Sequence, residues 1–532
     1  MVARTVLKLL PVLLLAIGAA SAKAEDTPVQ WVGRVSAVDG DLSIRAAGGD
    51  WTDSAVINDP VAPGMSVRTA AQSRAILRIG PETIALAPSS ELSIGELDAS
   101  GTQLTLRQGR IGIRLSSSEP ANSIEVEAPG SSVWLLASGE YDITAGDDHT
   151  ATRVATFDGR ARLVGKGIDR VVVSGGAALV STAEPATATA DSAATDDFDS
   201  WWRATKSAAN ADPAALGHIS PEMTGYEMLD ASGSWETRPG IGTVWLPTTV
   251  PADWAPYRYG HWRFVSPAGW TWVDDMEWGF APSHYGRWAK VAGSNADAAR
   301  WAWMPGAFVQ HPSYMPAAVA FIGTAGVGIS CPDGVGAGVG WFPLGPGEPY
   351  WPGTKADADT IRRLNAGTGV DLGTLAAGER NEPPAAVINT DYHNRTFASV
   401  VPRAAFLAGK SVEPALVTLP ERRLQNAPVL AGSPQLPPVP AASLVASTAP
   451  GRTIAGAVQV LARVLAPRPA AALAAASLVR VAPARQAFVA AVARRQREVA
   501  AAHSAPPRFV VLAAARYARE HIRVAAAVHR GR

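Results

Sequence analysis

Ser123-Ile124-Glu125-Val126-Glu127-Ala128-Pro129-Gly130 sets an apolar side chain at every second position and then stops at Pro-Gly. Side chains two apart share one face of an extended strand, so one face of this segment is oily and the other carries carboxylates. The pattern extends in both directions. Trp31-Val32-Gly33-Arg34-Val35, Asp41-Leu42-Ser43-Ile44-Arg45, Ala75-Ile76-Leu77-Arg78-Ile79 and Gln103-Leu104-Thr105-Leu106-Arg107 alternate in the same way. Asp39-Gly40, Gly48-Gly49, Pro63-Gly64, Gly80-Pro81 and Asp158-Gly159 punctuate them. Short period-two runs separated by turn residues predict an all-β sandwich, barrel or solenoid over residues 30–181.

Within that span, Val61-Ala62-Pro63-Gly64-Met65-Ser66-Val67-Arg68-Thr69 is followed by Arg74-Ala75-Ile76-Leu77-Arg78-Ile79 and Leu106-Arg107-Gln108-Gly109-Arg110. Gly139-Glu140-Tyr141-Asp142-Ile143 and Phe157-Asp158-Gly159-Arg160-Ala161 close the series. In their order and spacing these pieces resemble the FecR domain. The resemblance implies a β fold and an extracytoplasmic setting, because the family's namesakes use this domain as the outer part of a regulator of a sigma factor.

The first 24 residues fit that setting. Arg4 and Lys8 precede an apolar run, Leu9 to Ala20, and Ala22-Lys23-Ala24 offers small residues where a signal peptidase cuts. A run of roughly a dozen residues is too short for a bilayer core that needs about 20, so a cleaved signal is expected over 1–24. No membrane span is expected in the processed chain, which is read as periplasmic or secreted. Cys331 is the single cysteine, so no intramolecular disulfide and no cysteine metal cluster is available.

Residues 182–197, rich in Ala, Thr and Asp, read as a linker, and Phe198 to Thr205 as a short helix with an aromatic face. From there to about 415 the chain is dense in tryptophan: 14 of the 17 fall between Trp201 and Trp351. Tyr259-Gly260-His261-Trp262 recurs as Tyr285-Gly286-Arg287-Trp288, each followed by a Trp-x-Trp pair, Trp270-Thr271-Trp272 and Trp301-Ala302-Trp303. In a strand each pair puts two indoles on one face, and Ser266-Pro267-Ala268-Gly269 reads as the turn of a β-hairpin. The block, through Trp254 to Trp262, Gly269 to Val273, Trp278 to Pro282 and Gly340 to Pro346, resembles the Trp-rich domain of unknown function that follows FecR domains in exported bacterial proteins.

The aromatics admit two readings. As core, each buried indole removes about 150–250 Å² from water. As an open groove, Trp262, Trp270, Trp272, Trp278, Trp288, Trp301 and Trp303 are the candidate ligand-binding residues, for an envelope glycan or another envelope protein. Asp274, Asp275 and Glu277 are the carboxylates a carbohydrate-active enzyme would need. A charged turn accounts for them equally, and His261, His284 and His311 lack metal-ligand spacing. Ala404 to Ser411 misses the first glycine of a phosphate-binding loop, and Gly334 to Gly338 lacks a dinucleotide fingerprint's context. The reading is therefore of a non-enzyme with no cofactor, no metal and no nucleic-acid partner.

The neutral formal charge hides two halves. From Gly451 on there are 14 Arg and no Lys against Glu498 and Glu520, a net of 14 − 2 = +12, and the preceding residues carry 33 − 45 = −12. Residues 416–532 read as a low-complexity Ala/Pro/Arg-rich tail, disordered or weakly helical, suited to anionic envelope polymer or lipid head groups. The whole is expected to be mostly β: a FecR-like domain, a Trp-rich hairpin domain and a basic tail. Its expected role is a binding or scaffold module, possible alternatives being a glycan-directed protein or an envelope signalling component. Mass spectrometry of the mature protein should find Glu25 at the N-terminus; protein retaining Met1 would remove the basis for export.

Overall fold

The computed structural model describes residues 31–436 except 52–53, 99–100, 117–122, 182–186, 206–213, 293–298, 333–335, 353–355, 376–386, 388–389 and 431. The expected export signal and the part of the basic tail beyond 436 lie outside the described residues. The chain is mostly β, as its alternation predicts. The first unit contains β1 (Gly33–Asp39), β2 (Leu42–Arg45), β3 (Pro60–Val61), β4 (Ser66–Thr69), β5 (Arg74–Ile79), β6 (Glu82–Leu86), β7 (Glu91–Asp98) and β8 (Gly101–Gln108). It continues with β9 (Arg110–Leu115), β10 (Ile124–Ala128), β11 (Ser131–Leu135), β12 (Gly139–Thr144), β13 (Thr152–Asp158), β14 (Arg160–Gly165), β15 (Ile168–Val173), β16 (Gly176–Val180) and β17 (Ala188–Ser192).

These strands form two facing sheets. One runs β17-β16-β13-β12-β9-β6-β5-β1-β3 and the other β15-β14-β11-β10-β8-β7-β4-β2. Apart from β3, strand order follows chain order in both, so the chain crosses back and forth between the sheets as it advances along the stack. Of the three architectures open to the sequence, the sandwich is the one formed. Alternation explains the packing: Ile124 and Val126 of β10 point inward with Leu104 and Leu106 of β8 and are buried. The pairing of β10 with β8 is parallel, Ile124 opposite Thr102.

Two of the quoted motifs meet in space. The Tyr141 hydroxyl on β12 donates to the Ala137 carbonyl (2.5 Å) and accepts from the Arg160 amide (3.0 Å). Gly159 makes this corner possible. Its φ of +90° is left-handed, and a Cβ there would lie 2.2 Å from the Tyr141 oxygen.

The stretch read as a linker is partly built into the sheet. Ala188–Ser192 pairs with β16, Val180 opposite Ala188, and all but Ala188 stays exposed. Backbone pairing needs no apolar side chains, which is why composition did not reveal it. The expected helix is present as α1 (Asp197–Ala204), opened by an Asp196 capping box.

The second unit contains β18 (Gly233–Arg238), β19 (Gly242–Pro247), β20 (Gly260–Val265), β21 (Gly269–Asp274), β22 (Arg287–Val291) and β23 (Arg300–Met304). β24 (Val319–Ile322), β25 (Ile329–Cys331), β26 (Gly336–Pro343), β27 (Ser399–Pro402) and β28 (Val429–Leu430) follow. They make a four-stranded sheet β18-β19-β23-β22, the hairpin β20-β21, and a sheet β25-β26-β24-β28 with β27 on β26. Packed chain runs past the expected boundary at 415. Leu419, Leu424, Ala427 and Leu436 are buried, and β28 pairs with β24. A few spaced leucines suffice to fill gaps in an existing core, although the surrounding Ala/Pro composition reads as tail. Gly159→Ala should lower the stability of the first unit by more than about 1 kcal/mol, since it adds left-handed strain to the clash with Tyr141; a melting temperature equal to the parent's would contradict this corner.

Candidate functional site

Both repeats form the hairpins their sequences predict. In the first, Trp262 lies opposite Trp272, with Phe264 opposite Trp270. In the second, Trp288 lies opposite Trp303 and Lys290 opposite Trp301. The second hairpin is also extended, because β19 pairs onto β23 through Trp245 and Trp303.

The seven candidate tryptophans Trp262, Trp270, Trp272, Trp278, Trp288, Trp301 and Trp303 are all at least nine-tenths buried. Their faces are taken by other rings. Trp262 meets Trp272, Trp341, Phe321 and Phe406 at centroid distances of 5.2–5.6 Å, and Trp278 meets Trp245 at 4.9 Å. The indole N–H groups are mostly spoken for as well. Trp270 donates to the Leu436 carbonyl, Trp272 to Asp274 Oδ2, Trp288 to the Pro282 carbonyl and Trp303 to the Tyr285 carbonyl, all at 2.8–2.9 Å. Buried indole N–H groups need such acceptors. Of the two readings of these aromatics, this geometry is that of a core, and none of the seven rings offers an open face.

Asp274 belongs to the same core. Besides the Trp272 indole it accepts the Met276 amide at 2.9 Å, and burial pushes its carboxyl up to about 7 against those donors. Asp275 is raised by burial too. Neither these two nor Glu277 lines either of the clefts described below. His284 is fully enclosed between Phe280 and Tyr314, its Nδ1 2.7 Å from the Met315 carbonyl, and burial lowers it to about 3. It is a core residue. His261 is lowered to about 4 by burial and by Arg263. His311 is half-exposed, 2.6 Å from Glu222 and stacked on Trp31. No group of three His, Cys, Asp or Glu among the described residues is arranged to hold a metal, and no described helix is long and apolar enough to cross a membrane. Near Ala404 to Ser411, Arg403–Leu407 is a short helix whose Phe406 packs on Trp270.

What sequence reasoning missed is the seam between the two units. Arg34 on β1, 1% exposed, donates to Asn58 Oδ1 at 2.9 Å and to Glu227 Oε1 of the second unit at 2.6 Å. Asn58 then reaches across with its Nδ2, donating to the carbonyls of Asp274 (2.9 Å) and Met276 (2.7 Å). Asp59 is fully buried against Arg263 of β20, N to O 3.0 Å; burial raises it to about 6 against that guanidinium. Burial also pushes Glu227 upward, but Arg34 and Arg78 outweigh it and hold the carboxyl below its usual range. Thr224 closes the row, donating to the Val32 carbonyl and accepting from the Gly80 amide, both at 2.9 Å. The one local hint in the sequence is Asn58-Asp59-Pro60, which reads as a turn; Asn58 takes φ +69°. Two clefts at or beside this seam, meeting at Tyr285 and Pro312, have volumes of about 20 and 30 Å³, room for one or two waters each.

Residues 226–348 match a family of unknown function (DUF6600), a span that opens beside the seam residue Glu227 and holds both hairpins. No curated protein matches the chain. Two solved structures, of proteins from Parabacteroides distasonis ATCC 8503 assigned as anti-sigma factors, are similar to it. One has 9% identity and a TM-score of 0.23, covering 26% of this chain and 64% of that one. The other has 10% identity and a TM-score of 0.22, covering 35% of this chain and 99% of that one. The chain thus spans just under two thirds of the first.

The raised Asp274 gives the core a pH dependence of known sign. A carboxyl whose folded pKa of about 7 exceeds its unfolded value adds stability that is complete below about 4 and lost as pH rises through about 7. Urea unfolding at pH 5 and pH 8 should show the parent losing more stability over that range than Asp274→Asn, which cannot ionise. Equal losses in the two proteins would mean that Asp274 does not titrate in the core.

Proposed function

We propose that this chain is an exported, non-catalytic envelope protein that serves as a rigid binding scaffold. The observation that carries this reading is the seam: buried charges and hydrogen bonds join the two β units through Arg34, Asn58, Glu227 and Asp274. Proteins that act through pockets place convergent polar groups in a cavity of several hundred Å³. Here the clefts at the junction hold one or two waters, the seven candidate tryptophans are consumed in packing, and Asp274 is bound by its neighbours. A surface-recognition role uses such a body well.

The N-terminal signal supports an extracytoplasmic location, periplasmic or secreted. The arginine-rich tail supports retention at anionic envelope polymer or lipid by charge. The FecR resemblance of residues 30–181 favours one second reading, a component of extracytoplasmic sensing. A carbohydrate-active enzyme working through Asp274, Asp275 or Glu277 has less support, because the first of these faces the core.

Cell fractionation of the full chain and of a version ending at Leu436 tests the proposal. The full chain should partition with the envelope and be released by salt, and the truncated chain should be found in the soluble exported pool. Identical partitioning of the two, or retention that salt does not touch, would overturn the electrostatic anchoring.

A further inference from the structure

The outer face of the nine-stranded sheet carries a trough that runs across the strands. Ladder partners follow one another from Ala37 to Ile76, Ala85, Gly112, Asp142 and Ala155. Ala37, Ala85, Gly112 and Ala155 keep this line low, with Ile76 and Asp142 between them, and longer charged side chains flank it: Arg74 and Arg110 on one side, Arg114 and Glu140 on the other. Helix α1 lies in the channel. Trp202 is fully buried over Gly112, where a Cβ would stand 2.5 Å from the indole, so only glycine admits this ring.

The charges match along the helix. Arg110 at its N-terminal end pairs with Asp142 of the sheet (2.7 Å) and with Asp199 (2.9 Å) and Asp196 of the helix. Arg153 reaches Asp142 at 3.7 Å and Asp191 at 3.1 Å. At the other end Glu140 accepts from Arg114 of the sheet (3.2 Å) and Arg203 of the helix (2.7 Å). Guanidinium groups also cover the aromatics, Arg110 over Phe198 at 5.0 Å, Arg114 over Trp202 at 5.3 Å and Arg74 over Trp201 at 4.4 Å.

Two features separate this contact from the rest of the fold. Phe198 and Trp202 form an apolar island with Ile76, Ala85 and Ala87 that is distinct from the main core. Lifting α1 therefore exposes the island and leaves the interior of the sandwich closed, which is local rather than global opening. In addition, the features that receive the helix, namely Gly112 and the arginines, belong to the sheet and persist without it.

We propose that this trough is a docking surface for an amphipathic helix of a partner protein, with carboxylates in its first turn and Phe and Trp four residues apart, and that α1 is the resident occupant it displaces. The proposal rests on the scaffold reading and names the kind of partner. Aromatic anchors set in a fitted pocket and complementary charges at the rim are what such helix-in-groove contacts use.

The test uses the full chain carrying Phe198→Ala and Trp202→Ala, which frees the trough, and a fluorescein-labelled peptide of residues 195–205 followed by anisotropy. The peptide should bind this variant about tenfold or more tighter than the parent. Binding should weaken as salt rises from roughly 50 mM to roughly 0.5 M, where screening shortens the reach of the arginines. Adding Gly112→Leu should abolish it. A folded double variant that binds no better than the parent, or binding indifferent to Gly112→Leu, would overturn the proposal. Should the double variant fail to fold, hydrogen exchange on the parent decides: α1 amides exchanging about a hundredfold faster than those of β9 and β12 support a detachable helix, and exchange only with global unfolding refutes it. The assay reads the trough alone, so its failure leaves the envelope-partitioning result standing.

Discussion

Arg34 carries a full charge in a place with almost no water, and the arrangement of both β units answers to that fact. Desolvating a guanidinium costs several kcal/mol, which is recovered only where good acceptors surround it. Glu227 of the second unit and Asn58 of the first supply them, and Asn58 in turn holds the carbonyls of Asp274, at the end of β21, and of Met276 just beyond it. Withdrawing a partner from a buried pair of this kind typically costs about 3–5 kcal/mol, a large part of a domain's stability. The units are thereby fixed in one orientation by directional bonds, whereas apolar contact alone would allow them to slide.

The aromatic core depends on the same joint. Asp274 ends the hairpin strand that carries Trp270 and Trp272; its side chain accepts the Trp272 indole and its backbone carbonyl accepts Asn58. One residue thus ties the packing of the tryptophans to the seam. Its raised carboxyl makes that tie sensitive to pH near neutrality, and Asp59, raised to about 6, lies on the same boundary.

Much of this was legible in the chain. The alternation at Ile124 and Val126, the Gly-Pro and Asp-Gly turns, and the repeated Tyr-Gly-x-Trp gave the strands and both hairpins, because period and turn chemistry are local properties. The role of Asp274, the seam and the bed of α1 were not legible. Arg34 sits in an alternating strand like many exposed arginines, and nothing near it in sequence announces a carboxylate 193 residues away. Gly112, likewise, reads as a weak point in a strand until Trp202 is seen above it. Whether indoles pack or stay open is also a long-range matter: Trp-x-Trp fixes which face they share, and only the neighbouring sheets decide what covers that face. The same limit applies to β17, whose polar sequence hides an edge strand completed by its partner.

The central claim, that the two units are one rigid and cooperative body, is tested most directly by hydrogen exchange of the full chain across a urea series. If the seam couples them, the amides of β5 and β6 in the first unit and those of β22 and β23 in the second will lose protection together, at one urea concentration. Two separate midpoints, with the Trp-rich unit still protected after the sandwich has opened or the reverse, would contradict it.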